Sequence, residues 1–196
     1  PVAEFLTRAG VGCLGIVDFD KVDLSNIHRQ SLYDIEDLNK PKVKAASFKL
    51  KKINPETKIT CYKINLNKNN CNKIINKYDY IIDGSDNFKT KFLINDHCNK
   101  FKKILISGAI SKFDGHIFSF DFKDKKNPCL RCFFQEHQIS EDILNCEYEG
   151  VLGTIAGIVG IILANETLKQ ILNIGKNLNY YILILDLLNL NFRKVR

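Results

Sequence analysis

The sequence contains no methionine, and its first residue is Pro1. Because translation starts at methionine, we expect these 196 residues to come from a processed or longer chain. No signal peptide opens the sequence, and its most apolar window, residues 151–164, is shorter than the roughly 20 residues that cross a bilayer. No internal repeat and no Ser/Pro-rich linker divides it. These absences predict one domain over residues 1–196, with no membrane partner.

Cysteine and charge exclude further classes of protein. The seven cysteines are odd in number and mostly isolated, which argues against a secreted disulfide framework and favours a reducing, cytoplasmic location. The 29 Lys and Arg residues exceed the 22 Asp and Glu residues, and the resulting net charge of +7 favours acidic partners. Because the lysines are scattered and form no basic tail, we expect no nucleic-acid partner.

Short apolar runs alternate with helical patterns in the first half of the chain, which predicts a parallel sheet with helical crossovers. The predicted strands are residues 14–19, 58–64, 80–82 and 104–106, and Gly108 is expected to end the last of them. Helical patterns follow Pro41, residue 70 and Asn87.

The pattern changes in the second half. Phe118, Phe120 and Phe122 alternate with polar residues, which is typical of a half-solvated antiparallel strand. Residues 151–172 predict a long buried helix, and residues 180–186 and 191–195 two closing strands. The expected fold class is therefore α/β: a Rossmann-like, mostly parallel sheet flanked by helices and continuing into antiparallel strands.

Polar residues after the first predicted strand suggest a ligand. Asp18 lies where a Rossmann strand binds a ribose hydroxyl, although capping of a loop explains an acidic residue there equally well. Ser25, Asn26 and Arg29 follow in a donor-rich loop over the same sheet edge. The planar fork of Arg29 suits bidentate hydrogen bonds to phosphate, and the alternative is a solvated loop arginine.

Two further positions open predicted helices. Lys42 lies in a first helical turn, where the macrodipole disfavours a cation by roughly 0.3–1 kcal/mol and a bound anion would reverse that sign. Asp86 and Asn87 follow the strand at residues 80–82. They either cap the next helix or contribute a carboxylate to Mg²⁺ held with a nucleotide. Asp83 either assists them or satisfies backbone donors.

Cys129 and Cys132 form a Cys-x-x-Cys pair in a long connection. Three interpretations of this pair are open: half of a zinc site, a redox pair or a coincidence. Its position after an antiparallel strand favours zinc. The sequence holds no second such pair, so the other two ligands are expected beyond Arg196, from a partner, or from Cys146 and His137. Cys146 is either a buried cysteine or a nucleophilic thiol within reach of another protein.

These motifs together resemble a known family. The strings IVDFDKVDLSNIHRQ, KPKVKAA, DGSDNFKTKFLIND, PCLRC and CEYEGVLGTIAGIVG resemble the ThiF/MoeB/HesA family of adenylyltransferases, relatives of the ubiquitin-activating E1 enzymes. The resemblance covers residues 1–196 and implies the E1-like adenylation fold. It also implies a Gly-rich nucleotide loop before Pro1 and a second Cys-x-x-Cys after Arg196.

The resemblance assigns roles to the motif residues. Those implied at ATP and Mg²⁺ are Asp18, Ser25, Asn26, Arg29, Lys42, Asp86 and Asn87. Among them Asp18 would bind the ribose and Asp86 would hold Mg²⁺. Cys129 and Cys132 would form the first half of a structural Zn²⁺ site. Cys146 falls where some members carry a reactive thiol, and the residues expected to act in catalysis are Arg29, Lys42, Asp86 and Cys146.

The activity implied by the resemblance is ATP-dependent adenylation of the C-terminal glycine of a ubiquitin-like (β-grasp) sulfur-carrier protein, in thiamin or molybdopterin biosynthesis. A sulfur donor such as a cysteine desulfurase or rhodanese, and a homodimer, are implied with it. Three alternatives stay open: an E1-like enzyme for a ubiquitin-type modifier or a tRNA-thiolation carrier that uses Cys146, an NAD-dependent Rossmann oxidoreductase, and a non-catalytic binding module.

Overall fold

The sheet architecture is mixed. The computed structural model describes residues 1–134 and 150–196. Within them β1 (Cys13–Val17) pairs in parallel with β2 (Lys58–Tyr62). A second sheet has the strand order β3-β4-β5-β6-β7. Its strands are β3 (Tyr80–Asp83), β4 (Ile104–Ser111), β5 (Asp114–Asp121), β6 (Ile182–Asp186) and β7 (Asn191–Val195).

The order of parallel and antiparallel pairs confirms the expected fold class. Strands β3 and β4 are parallel, and the pairs β4-β5, β5-β6 and β6-β7 are antiparallel. One detail differs from the expectation of a continuous sheet: within the described residues β1 and β2 hydrogen-bond only to each other.

Local sequence signals set the helix boundaries. The helices are α1 (Val2–Arg8), α2 (Leu24–Ile27), α3 (Lys42–Ile53), α4 (Cys71–Ile75), α5 (Phe88–Lys100), α6 (Leu130–Phe133) and α7 (Gly153–Leu172), with a 3₁₀ turn at Ile35–Asp37. Helix α3 begins directly after Pro41, and Asn87 caps α5 by accepting the Thr90 N–H at 2.8 Å. Helix α7 ends at Asn173, which has a left-handed φ of 51°.

Both faces of the five-stranded sheet are buried at β4 and β5, whereas the edge strand β7 is exposed. Phe118 and Phe120 belong to a cluster with Phe92 of α5, whereas Ile117 and Leu185 belong to a second cluster with residues of α7. The expectation of a half-solvated β5 was therefore wrong. Ser119 is only 2% exposed, and its hydroxyl hydrogen-bonds to Asn179 and Gln170 in place of water.

Glycines in β4 and β5 allow α7 to approach the sheet closely. A Cβ on Gly108 would lie 2.8 Å from Leu163, and one on Gly115 would lie 2.6 Å from Val159. Gly108 does not end β4, which continues to Ser111. Gly108 leaves room for a side chain of α7, and the sequence on either side of Gly108 does not indicate that contact.

Helix α7 (Gly153–Leu172) confirms the long helix predicted over residues 151–172 and extends beyond the apolar window at residues 151–164. The helix has 20 residues, and an 18-residue stretch of it has a mean hydropathy of 1.4, which is enough by length and composition to cross a membrane, so the expectation that the segment is too short was wrong. Ile155, Val159 and Leu163 are buried within the second core cluster. Packing against the sheet accounts for the apolar composition of this face.

The close approach of α7 to β5 is testable with two glycine variants. Gly115→Ala should lower the free energy of unfolding by about 1–3 kcal/mol, because Val159 is β-branched and cannot turn its methyl group away within the core. Gly157→Ala is the matched control, since no atom lies within 4 Å of the added Cβ. It should stabilise the protein by about 0.5–1 kcal/mol through helix propensity. Urea unfolding measures both, and equal effects would contradict the packing argument.

Candidate nucleotide site and cysteine pair

Asp18 lies at the end of β1 with one carboxylate oxygen occupied. Its N–H donates to the Tyr62 carbonyl at 3.1 Å, which places Asp18 at the edge where β2 also ends. Its Oδ1 accepts the Asp20 N–H at 2.8 Å. In the described part of the chain no hydrogen bond engages the Oδ2 atom. This second oxygen can therefore accept from a ribose hydroxyl.

Ser25 and Asn26 close the first turn of α2. The Asp23 carboxylate accepts from the Ser25 N–H at 2.9 Å and from the Ser25 hydroxyl at 2.6 Å, and these bonds hold the pKa of Asp23 below its usual range. The Asn26 Oδ1 accepts the Asp23 N–H at 3.2 Å, and Asn26 is 8% exposed. Both predicted nucleotide ligands thus have a capping role, which sets the direction of α2.

Arg29 has one edge of its guanidinium group that no described residue contacts through a hydrogen bond. Its Nη1 donates to the Ser25 carbonyl at 2.7 Å and lies 2.8 Å from His28 Nε2. Within residues 1–134 and 150–196, no acceptor engages Nε or Nη2 and no carboxylate pairs with the group. The Nε and Nη2 hydrogens form the edge that binds a phosphate or carboxylate bidentately. The anchored Nη1 holds that edge in a fixed orientation.

Lys42 has an internal counterion that sequence reasoning missed. It is the first residue of α3 and 8% exposed, and its Nζ lies 3.2 Å from Asp20 Oδ2. The Asp20 carboxylate therefore supplies the anion that the helix start requires, and the helix position alone is no argument for phosphate. The Asp20 side chain is 48% exposed, so a phosphate could replace it at Lys42 while Asp20 turns to water.

Asp86 and Asn87 form a second polar group at the start of α5. Both are exposed. Asp86 Oδ1 accepts from Asn87 Nδ2 at 3.1 Å, and no described cation pairs with its carboxylate. An exposed carboxylate that pairs with no cation among the described residues is the donor type that Mg²⁺ takes beside phosphate, so Asp86 fits the predicted ion.

Helix α7 begins against the arginine segment. A Cβ on Gly153 would lie 2.1 Å from the His28 carbonyl oxygen and 3.6 Å from Arg29 Cα. Glycine is therefore required at the first position of α7, and the helix supports the backbone that carries Arg29. Among the described residues, no hydrogen bond or ion pair links the Arg29 side chain to Asp86 or Asn87.

Cys129 and Cys132 lie side by side at α6. Their Sγ atoms are 3.6 Å apart, and partial burial together with the bond to Cys132 raises the pKa of Cys129. Two thiolates on a tetrahedral zinc with bonds of about 2.3 Å lie about 3.8 Å apart, so the pair fits half of such a site. In the described residues no third ligand joins it. Cys146 and His137 lie outside the described residues, and their predicted roles stay predictions.

Contacts that the sequence did not predict dock α6 on α5. The Leu130 N–H donates to Asn95 Oδ1 at 2.9 Å inside the protein. Arg131 donates through Nε and Nη2 to the Asp96 carboxylate, both at 2.8 Å, and its guanidinium lies 4.6 Å from the Phe92 ring centre. The sequence signal was weak, because Asn95 and Asp96 occur within an ordinary amphipathic helix.

Comparison with known proteins identifies the family. The sequence matches the ThiF family over residues 1–196. The chain belongs to the ThiF family. A sulfur carrier protein adenylyltransferase of Thermus thermophilus is 38% identical over 198 residues, and a probable molybdopterin-synthase adenylyltransferase of Gracilaria tenuistipitata is 39% identical over 192 residues. These matches confirm the family resemblance drawn from the motifs.

The chain spans only part of these ThiF relatives. The matches cover 100% and 98% of this chain but 73% of the Thermus protein and 53% of the Gracilaria protein. The solved structure of E. coli MccB with ATP superposes with a TM-score of 0.82 over 98% of this chain and 58% of that chain, at 18% identity. This likeness confirms the E1-like fold.

The Arg131–Asp96 pair makes a pH-dependent prediction. Partial burial opposes ionisation of Asp96, but the bonds from Arg131 outweigh it and hold the pKa of Asp96 below 3.8. Because the pKa of Asp96 is lower in the folded state than in the unfolded state, its ionised form contributes to the free energy of unfolding above the unfolded-state pKa. That contribution is lost as the pH falls through the folded-state pKa. Asp96→Asn should therefore cost about 0.5–1 kcal/mol of unfolding free energy at pH 7, since the pair is partly exposed.

Urea unfolding from pH 7 to pH 3 measures this effect. The difference between wild type and Asp96→Asn should stay constant in the neutral range and shrink below pH 3.8. Asp79→Asn is the matched control because Asp79 makes no ion pair within the described residues. A loss of the same size at every pH would show that the ion pair contributes nothing.

Proposed function

We propose that this protein uses ATP and Mg²⁺ to adenylate the C-terminal carboxylate of a ubiquitin-like, β-grasp sulfur-carrier protein. The observation that carries the proposal is the match to the ThiF family over residues 1–196. The proposal is also supported by relatives that are named as adenylyltransferases and by the MccB structure with ATP, which has the same fold. The guanidinium edge of Arg29 and the exposed carboxylate of Asp86, neither of which forms an ion pair within the described residues, supply the polar groups that the reaction needs.

The proposed reaction needs no general base. A carboxylate oxygen of the carrier's terminal glycine attacks the α-phosphorus of ATP, and the bond from that phosphorus to the bridging oxygen breaks. The products are an acyl-adenylate and pyrophosphate. Because the attacking carboxylate is already ionised, catalysis depends on alignment and on neutralising the phosphate charge.

The described residues divide these tasks. Arg29 binds phosphate oxygens through Nε and Nη2. Lys42 binds a further phosphate oxygen once the phosphate has replaced the Asp20 carboxylate as its counterion. Asp18 accepts from a ribose hydroxyl. Asp86, with Asn87 beside it, would hold Mg²⁺, which supplies further positive charge at the phosphates when bound. Ser25 and Asn26 set the direction of α2 beneath the phosphates.

The proposal extends to the sulfur step and to partners. The terminal sulfur of a persulfide on a donor such as a cysteine desulfurase or rhodanese attacks the acyl carbon and expels AMP. A thiol such as Cys146 then cleaves the resulting acyl disulfide, which releases the thiocarboxylate and leaves a disulfide between Cys146 and the donor. The carrier serves molybdopterin or thiamin biosynthesis, and the net charge of +7 favours an acidic carrier. Zn²⁺ held in part by Cys129 and Cys132 would stabilise the fold. We place the enzyme in the cytoplasm as a homodimer.

Carrier-dependent exchange of labelled pyrophosphate into ATP tests the site. Arg29→Ala and Asp86→Ala should each reduce exchange by about 10²–10³-fold, because each removes charge stabilisation at the phosphates. Lys44→Ala is the control for the lost positive charge, since Lys44 is exposed on α3. Asp79→Ala is the control for the lost carboxylate, since Asp79 directly precedes the opposite end of β3.

The outcomes separate the hypotheses. Full exchange in both site variants would contradict the site assignment. Absence of exchange in the wild-type protein, together with competition by NAD for the nucleotide site, would favour the oxidoreductase alternative.

A further inference from the structure

A buried carboxylate restrains the turn between β3 and α5. Asp83 is 2% exposed and accepts four hydrogen bonds. Its Oδ1 accepts from the Ser85 N–H at 2.9 Å and the Ser85 hydroxyl at 2.7 Å. Its Oδ2 accepts from Ser107 at 2.8 Å and from Lys91 at 3.2 Å. This one side chain connects the turn to β4 and to α5.

Lys91 is the cation that balances this carboxylate. It lies in the first turns of α5 and is 6% exposed. Its Nζ also donates to the Gly108 carbonyl in β4 at 2.7 Å. The ammonium group therefore joins three elements around Asp83 and fixes the carboxylate against the sheet.

Few other contacts restrain the turn that follows. A Cβ on Gly84 would have no atom within 4 Å, and Asp86 and Asn87 are exposed. The two bonds from Ser85 to Asp83 are thus the main restraint on the residue that precedes Asp86. Loss of the ammonium would leave Asp83 with an uncompensated buried charge, which favours movement of the carboxylate away from its present position.

Burial of this pair is not explained by packing alone. Phe92, the neighbour of Lys91 in α5, belongs to the first core cluster, and Phe88 packs against that cluster. Replacing a buried ion pair with apolar residues of similar volume is often neutral or stabilising. An apolar residue at position 83 could not hold the Ser85 turn, because both bonds from Ser85 end on the Asp83 carboxylate.

We propose that Lys91 is a positioning residue: it fixes Asp83, Asp83 fixes the Ser85 turn, and the turn directs the Asp86 carboxylate toward the cation and nucleotide. The assignment of Asp86 to that cation rests on the proposed function. The restraint of the turn by Lys91 does not, and it can be measured without turnover.

Three variants test the proposal. Lys91→Met removes the charge and keeps the length of the side chain, and Lys91→Arg keeps the charge. Ile94→Ala is the control, because Ile94 is a core residue of the same helix at 7% exposure, whereas the described donors to Asp83 are Ser85, Ser107 and Lys91. Ser107→Ala removes a different donor to Asp83 and replaces Lys91→Met if that variant does not fold.

The first readout is amide hydrogen exchange of Ser85 in the protein without nucleotide. Lys91→Met should accelerate this exchange by about tenfold or more, because the acceptor of the Ser85 N–H loses its fixed position. Lys91→Arg should restore slow exchange, and Ile94→Ala should lower the melting temperature without selective acceleration at Ser85. Unchanged exchange in Lys91→Met, or equal acceleration in Ile94→Ala, would overturn the proposal.

The second readout is the Mg²⁺ concentration that gives half-maximal pyrophosphate exchange. Lys91→Met should raise it by about 10–100-fold, the usual effect of removing the support of a metal ligand, and Lys91→Arg should restore it. An unchanged Mg²⁺ requirement would overturn the link to Asp86. Absence of exchange in the wild type would contradict the proposed function alone, since the Ser85 measurement still tests the restraint by Lys91.

Discussion

The close packing of α7 against β4 and β5 is the constraint on which the rest of the structure depends. Val159 lies where a Cβ on Gly108 or Gly115 would be, so the helix and sheet approach more closely than larger residues allow. The same helix meets α1, where a Cβ on Gly160 would lie 3.0 Å from Pro1. Its first residue contacts the His28 carbonyl. One helix thus connects the core to the segment that carries Arg29.

Internal partners hold the polar site in the absence of a nucleotide. Asp20 pairs with Lys42, the Ser25 carbonyl anchors Arg29, and Asp83 holds the turn before Asp86. If a phosphate binds here as proposed, only some of these bonds have to change. The exposed Asp20 can exchange with it, whereas the Arg29 anchor and the buried Asp83 network remain. A site of this kind is largely preorganised, and its residual rearrangement is limited to one carboxylate.

The sequence predicted the fold where local signals were strong. Pro41 and Asn87 marked the starts of α3 and α5, and the apolar runs located every strand of the first half. The long-range contacts were not predictable in this way. A glycine within an apolar run suggests a break, and only the three-dimensional packing of Leu163 shows that β4 passes through Gly108. The sequence around Lys91 resembles that around many exposed lysines in this chain. Its burial accompanies the ion pair with Asp83 of β3, a contact that the local sequence does not reveal.

The central claim is that the carboxyl terminus of a carrier protein is joined to AMP at this site. Mass spectrometry of a β-grasp carrier incubated with the protein, Mg²⁺ and ATP tests it most directly. The account predicts that the carrier gains the mass of AMP less one water, with release of one pyrophosphate for each modified carrier. Release of ADP and phosphate with an unmodified carrier would contradict it.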